Sequence, residues 1–165
     1  MKFNLIDKIE QISDQRVVAV KYVSLAEEYL ADHFPTFPVL PGVLMLEAAT
    51  QAAGWLLHHR HNFACSMAVL KEARNIKYGN FVAPGNFLKL ELEWLKSTDA
   101  GGVFKLNGQV GRAIAVAGRL ELAYFNLADK QPDLASLDAP LQQHNRRRFA
   151  LVAPTNITAA VNINS

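Results

Sequence analysis

Residues 43–60 carry apolar side chains on more than one side of a helix: Leu44, Met45, Leu46, Ala48, Ala49, Ala52, Ala53, Trp55, Leu56 and Leu57. Their spacing is helical, and no proline falls between Pro41 and Pro84. A helix that is apolar all round has to be enclosed rather than laid on a surface. The downstream chain supplies the enclosure. Residues 87–94 alternate, with Leu88, Leu90, Leu92 and Trp94 on one face and Lys89, Glu91 and Glu93 on the other. Residues 103–110 repeat the pattern with Phe104, Leu106 and Val110 inward, and residues 113–125 place Ile114, Val116, Leu120, Leu122 and Tyr124 on one face. Asp99-Ala100-Gly101-Gly102 reads as a hairpin loop and Gly111-Arg112 as a tight connection. Hairpin-linked strands with one oily face need a cover, and the central helix is the candidate long enough to provide it. The fold class is α+β, an antiparallel β-sheet wrapped around a long central α-helix.

Upstream, residues 5–12 suggest a weak strand and Asp14-Gln15 a turn. Residues 16–23 form a further strand with Val18, Val20 and Tyr22 on one face. Ser24 either caps a short helix through Leu30, with Glu27 at the capping-box position, or sits in a surface turn. Residues 66–78 are extended, and 81–86 signal a turn around Pro84-Gly85. Regular patterning stops at Asn126. The chain thus divides into residues 1–125, one domain, and residues 126–165, an extension packed on the domain or a neighbour and partly mobile. Arg146-Arg147-Arg148 reads as a solvated charge run, with contact to an acidic partner as the alternative. Asn156-Ile157-Thr158 matches a glycosylation pattern that carries no weight without a secretory signal.

The 165 residues are half hydrophobic, enough for a core, and the formal net charge of +2 is too small to argue for nucleic acid. One cysteine, Cys65, precludes an internal disulfide and suits a reducing compartment. Residues 1–8 lack the apolar run of a signal peptide and no stretch is apolar enough to span a bilayer, so a cytoplasmic location without membrane attachment is expected.

The chemistry concentrates in residues 33–51. Pro35, Pro38 and Pro41 recur every third residue, which favours a stiff, polyproline-like path. Pro41 suits the first turn of the helix. His33 stands at the mouth of this loop, with a pKa range suited to a general base, although a lone histidine is more often structural. Glu47 lies on the apolar helix with Gln51 one turn beyond, a polar stripe facing either solvent or a pocket. In a pocket, desolvation would fit Glu47 for acid duty, and Gln51 would orient a neighbour or bind water. Gly42 allows close approach to the backbone where the helix begins, and free N–H groups there favour a developing anionic oxygen; plain turn chemistry is the other account. His58 and His61 have workable metal spacing, but a helix C-terminus favours basic residues anyway, and metal is not expected. Cys65 reads as filler.

His33-Phe34-Pro35, Pro38, Pro41-Gly42-Val43-Leu44, Glu47-Ala48 and Gln51, with the later Val82-Ala83-Pro84-Gly85, resemble the signature of bacterial 3-hydroxyacyl-acyl-carrier-protein dehydratases of the FabZ/FabA type. Thr36 and Asn86 depart from that pattern. The resemblance covers about residues 3–125 and implies the hotdog fold and a homodimer or trimer of dimers with active sites at the dimer interface. It implies His33 as the catalytic base, Glu47 from the partner subunit as the acid, and Gly42 N–H as the donor to the thioester carbonyl. Phe34, Pro41, Val43 and Gln51 would bind substrate. The implied reaction dehydrates a 3-hydroxyacyl thioester on acyl carrier protein to the trans-2-enoyl thioester, in fatty acid, related lipid or polyketide synthesis, with no cofactor. A hotdog thioesterase and a non-catalytic acyl-binding module are the alternatives. Lys71, Arg74 and Lys77, or the triple arginine, are candidate contacts for the acidic carrier protein.

Overall fold

The computed structural model describes residues 3–155; the Asn156-Ile157-Thr158 pattern and the rest of the expected mobile end lie outside the described residues. Among the described residues six strands form one antiparallel sheet: β1 (Lys8–Ile12), β2 (Arg16–Tyr22), β3 (Met67–Tyr78), β4 (Phe87–Thr98), β5 (Gly101–Val110) and β6 (Ala113–Phe125), in the order β1-β2-β4-β5-β6-β3. Helix α1 (Gly42–Arg60) packs against β2, β3, β4, β5 and β6, so the sheet wraps it as its all-round apolar surface requires. Ala48, Ala49, Ala52 and Ala53 are sealed from solvent on α1, and Leu88, Leu90, Leu92, Phe104, Leu106, Leu120 and Leu122 meet them from the sheet.

Strand β2 alternates as expected, and two other expectations need correcting in detail. In β2, Val17 and Ala19 join the core around α1, while Val18 and Val20 are buried on the opposite face and Tyr22 is exposed. Because both alternating sets of 17–20 are apolar, alternation alone does not choose the inner one. In β6, Ile114 is exposed, whereas Ala115 and Val116 are both core residues. The register slips there, Gly108 pairing with Val116 but Gln109 with Ile114, and the inserted residue reverses the side-chain parity. Gly101 and Gly102 belong to β5 rather than to the hairpin loop, which is Asp99-Ala100 alone. Glycine is needed at 102 for close approach, since a Cβ would lie 2.5 Å from the Trp94 ring.

The segment after β6 is also more ordered than its patterning foretold. Two 3₁₀ turns (Leu127–Asp129, Pro132–Leu134) lead into a second long helix, α2 (Ala135–Val152), with Pro140 in its second turn. The polar composition and the internal proline hide this helix from periodicity. Phe149 is fully buried against Trp55 and Phe63, with ring centroids 5.8 and 5.4 Å away, so α1 is not the sole helical cover. The arginines are not a solvated run. Arg146 donates to Asn62 O at 2.6 Å and lies over Phe63, and Arg148 donates to Asn4 Oδ1 and lies over Trp55; Arg147 is exposed.

Asp138 fastens the start of α2. Its carboxylate accepts from Ser66 Oγ and from the N–H groups of Leu127 (2.7 Å) and Ala128 (3.1 Å). The Ser66 bond, more than any other, holds its pKa below the ordinary aspartate value.

Two outcomes follow from this packing. Phe149→Ala is expected to destabilise the fold by about 3–5 kcal/mol, read by urea unfolding. Asp138 contributes stability above the unfolded aspartate pKa and loses it as pH falls through its depressed folded value. The stability gap between the wild type and Asp138→Asn should therefore be full at neutral pH and close below about pH 4.

Candidate active site

The proline loop is built from local bonds. Phe34 and Phe37 exchange backbone hydrogen bonds (3.1 and 3.0 Å) around Pro35-Thr36, so that part is a tight turn rather than a continuous polyproline path. Val39 N–H donates to His33 O at 3.0 Å, closing the loop, and Leu40 N–H donates to Val82 O at 2.9 Å. The two stretches of the sequence signature therefore touch. The second is fixed in turn by Gly85 N–H donating to Val23 O at 2.9 Å, with Gly85 at φ +83° where glycine is favoured.

His33 is half-buried, its ring stacked on Phe34 at 4.3 Å. Nδ1 lies 3.0 Å from the Val39 carbonyl. A carbonyl only accepts, so Nδ1 carries the proton and Nε2 keeps the lone pair of the neutral ring. Pro41 is the N-cap rather than a first-turn residue: it is buried, and its carbonyl accepts from Leu44 and Met45 N–H. Gly42 opens α1, and among the described residues nothing accepts from its N–H. A Cβ on Gly42 would sit 3.0 Å from the Tyr78 ring, so glycine also makes room there. Phe34, Val43, Tyr78, Phe37 and Phe81 are exposed around this loop and helix start, Val43 at 71%.

Glu47 lies one turn further along and looks elsewhere. With Gln51, Gly54, Trp55, His58 and Asn145 it lines a cavity of about 240 Å³ that His33 does not reach. His33 and Glu47 of one chain are thus not brought together. Gln51 is fully engaged: Nε2 donates to Glu47 Oε1 (3.0 Å) and Phe3 O (3.2 Å), while Oε1 accepts from Leu5 N–H (3.0 Å). It orients Glu47 and clasps the N-terminal segment.

The histidines at the end of α1 are structural. His58 is buried between Phe63 and Tyr124, with Nδ1 3.3 Å from Tyr124 Oη. Burial, then the Arg146 charge, lowers its pKa to about 4, so it is neutral. His61 lies against Tyr124. Among the described residues no group of three or more His, Cys, Asp or Glu is placed to hold a metal ion. Burial and the carboxylates of Asp129 and Asp138 raise the Cys65 thiol pKa, which leaves it unactivated.

His58, Asn145 and Arg148 were not picked out as neighbours of Glu47. For His58 the signal was there: 47, 51, 54 and 58 continue one helical stripe. Asn145 and Arg148 share an i, i+3 face of α2, which carried no periodic signal of its own.

Gln51→Ala is expected to leave Leu5 N–H without its acceptor at a cost of about 1 kcal/mol, and to speed its amide exchange while α1 stays protected, as read by hydrogen–deuterium exchange.

A family model described as FabA-like domain matches residues 1–118. The 3-hydroxyacyl-[acyl-carrier-protein] dehydratase FabZ of Clostridium perfringens (strain SM101) is 35% identical over 121 residues, 73% of this chain and 87% of that protein. Among solved structures, the dehydratase heterocomplex ApeI:P from Xenorhabdus doucetiae aligns with TM-score 0.62 at 21% identity, covering 82% of this chain and 89% of that one. A hypothetical thioesterase of Streptococcus pneumoniae TIGR4, solved with coenzyme A, aligns with TM-score 0.56 at 13% identity over 72% of this chain and 85% of that one. At such identities these two speak for the fold alone, a hotdog. Proline loop, enclosed helix, wrapped sheet and matching sequence agree: the chain belongs to the FabA-like family, with the FabZ-type dehydratases as relatives.

Proposed function

We propose that the protein dehydrates 3-hydroxyacyl thioesters carried on acyl carrier protein to trans-2-enoyl thioesters, in fatty acid synthesis or a related lipid or polyketide route. The observation that carries this reading is the Val39 carbonyl on His33 Nδ1, which leaves Nε2 as a base of fixed orientation in the loop that leads into α1. His33 Nε2 takes the proton from the carbon next to the carbonyl. The electrons pass to the thioester oxygen, which Gly42 N–H and the helix dipole stabilise. Glu47 of the partner subunit gives its proton to the hydroxyl at the next carbon; that C–O bond breaks, the double bond forms and water leaves. Proton return from His33 to Glu47 through solvent resets the pair. The thioester supplies the acidity of the C–H bond, and the chain's own groups carry every proton.

A homodimer, or a trimer of dimers, fits the separation of His33 from Glu47 within one chain. The exposed apolar set of Phe34, Phe37, Val43 and Phe81 beside His33 supports it, since contiguous exposed apolar surface marks a contact or a substrate path. Phe34, Val43 and Pro41 would border the thioester, and Gln51 would act through Glu47 rather than on substrate. Residues 1–125 form the catalytic unit and the remainder an extension. The carrier-protein contact is better sought at Lys77 and Arg147. Lys71 and Arg74 are already paired with Glu121 (2.7 Å) and Glu72 (2.6 Å), and Arg146 and Arg148 turn into the fold. Among the described residues no helix is long and apolar enough to cross a membrane; a cytoplasmic enzyme is part of the proposal.

Hydration of a crotonyl thioester, followed by the loss of enoyl absorbance, tests the reading. His33→Ala and Glu47→Gln should each lower kcat by about 10²–10⁴-fold with the melting temperature nearly unchanged. Full activity in both variants, or release of free thiol in place of hydration, would overturn it.

A further inference from the structure

The cavity that Glu47 lines is walled in part by α2. One side is the α1 stripe from Glu47 through Gly54 to His58; the far side is α2, which contributes Asn145 and Arg148. This wall lies beyond residue 118, where the family match ends. The groups on it are polar, and their bonds leave capacity over. Asn145 Nδ2 donates to Ser66 O at 3.0 Å and sits 3.5 Å from His58 Nε2, so both its hydrogens face protein acceptors and its carbonyl oxygen has no donor among the described residues. Arg148 donates to the neutral Asn4 Oδ1 and lies over Trp55, and among the described residues no carboxylate stands within ion-pair distance of it. Burial holds its pKa below the ordinary arginine value. A half-buried guanidinium without an acid is a standing cost that an acceptor would relieve.

A terminal methyl against this wall would strip water from the guanidinium and return nothing. A carboxylate takes the planar fork with two parallel bonds, and a hydroxyl takes one. We propose that this cavity is the distal acyl subsite and that α2 closes it with a polar wall, selecting acyl thioesters whose far end carries a hydrogen-bond acceptor, a carboxylate or hydroxyl, held by Arg148 and Asn145. The inference rests on Glu47 acting at the acyl chain, as the dehydratase reading requires. It adds what that reading leaves open, the chemistry of the chain's other end.

The test uses the full chain and three 2-enoyl pantetheine thioesters of equal length, ending in carboxyl, hydroxyl or methyl, with crotonyl thioester alongside. The wild type should favour an acceptor-ended chain over the methyl-ended one by roughly tenfold or more in kcat/KM, carried by KM. Arg148→Met should shift that ratio toward methyl by a similar factor, and Arg148→Lys should keep the preference for carboxyl. Carboxyl well above hydroxyl identifies charge pairing; equal preference identifies hydrogen bonding; both support the subsite. The ratio is internal to each preparation, so partial unfolding of a variant scales both terms and leaves it unmoved. Crotonyl hydration with a ratio near one in the wild type, or a ratio unmoved by Arg148→Met, overturns the subsite alone. Absence of crotonyl hydration overturns the dehydratase reading, and the subsite with it.

Discussion

Enclosure of α1 is the constraint on which the rest depends. A helix sealed by five strands offers polar groups few places to be, so any that occur along it must face a cavity, an end or a neighbour. Glu47 and Gln51 meet this by bonding to each other and to the backbone of Phe3 and Leu5. His58 meets it by staying neutral between Tyr124 and Asn145. At its start the helix is entered by the proline loop, which holds His33 Nδ1 on the Val39 carbonyl. The same burial that stabilises the fold therefore confines the polar side chains of α1 to its ends and to one stripe along its side.

Much of this was legible beforehand because it depends on local pattern. The apolar helix, the alternating strands and the Pro84-Gly85 turn follow from spacing alone, and the loop from His33 to Gly42 advertises itself through its prolines. What was hidden depends on pairing between distant segments. The bulge that turns Ile114 outward needs the partner strand to be seen, and the burial of Val18 and Val20 needs the opposite face. The bond from Leu40 to Val82 joins two motifs that the sequence only lists side by side. Helix α2 escaped because its one fully buried apolar residue is Phe149 and the stretch leading to it, Gln142 to Arg148, is polar throughout.

That helix lies beyond the residues that the family model matches. Residues beyond β6 complete the aromatic packing at the end of α1 and wall the cavity beside Glu47. Asp138 ties α2 to the rest of the fold through Ser66 and the N–H groups of Leu127 and Ala128, just after β6.

Gln51 has a consequence of a different kind. Its amide grips Phe3 and Leu5 solely through their main-chain atoms. The leading residues are thus members of the acid's neighbourhood without lending it any side-chain chemistry. Evolution is free to vary what hangs from that strand end, provided the peptide groups themselves stay in position. A proline at position 5, which has no hydrogen to give, would disturb the carboxylate from a place that no inventory of reactive groups would include.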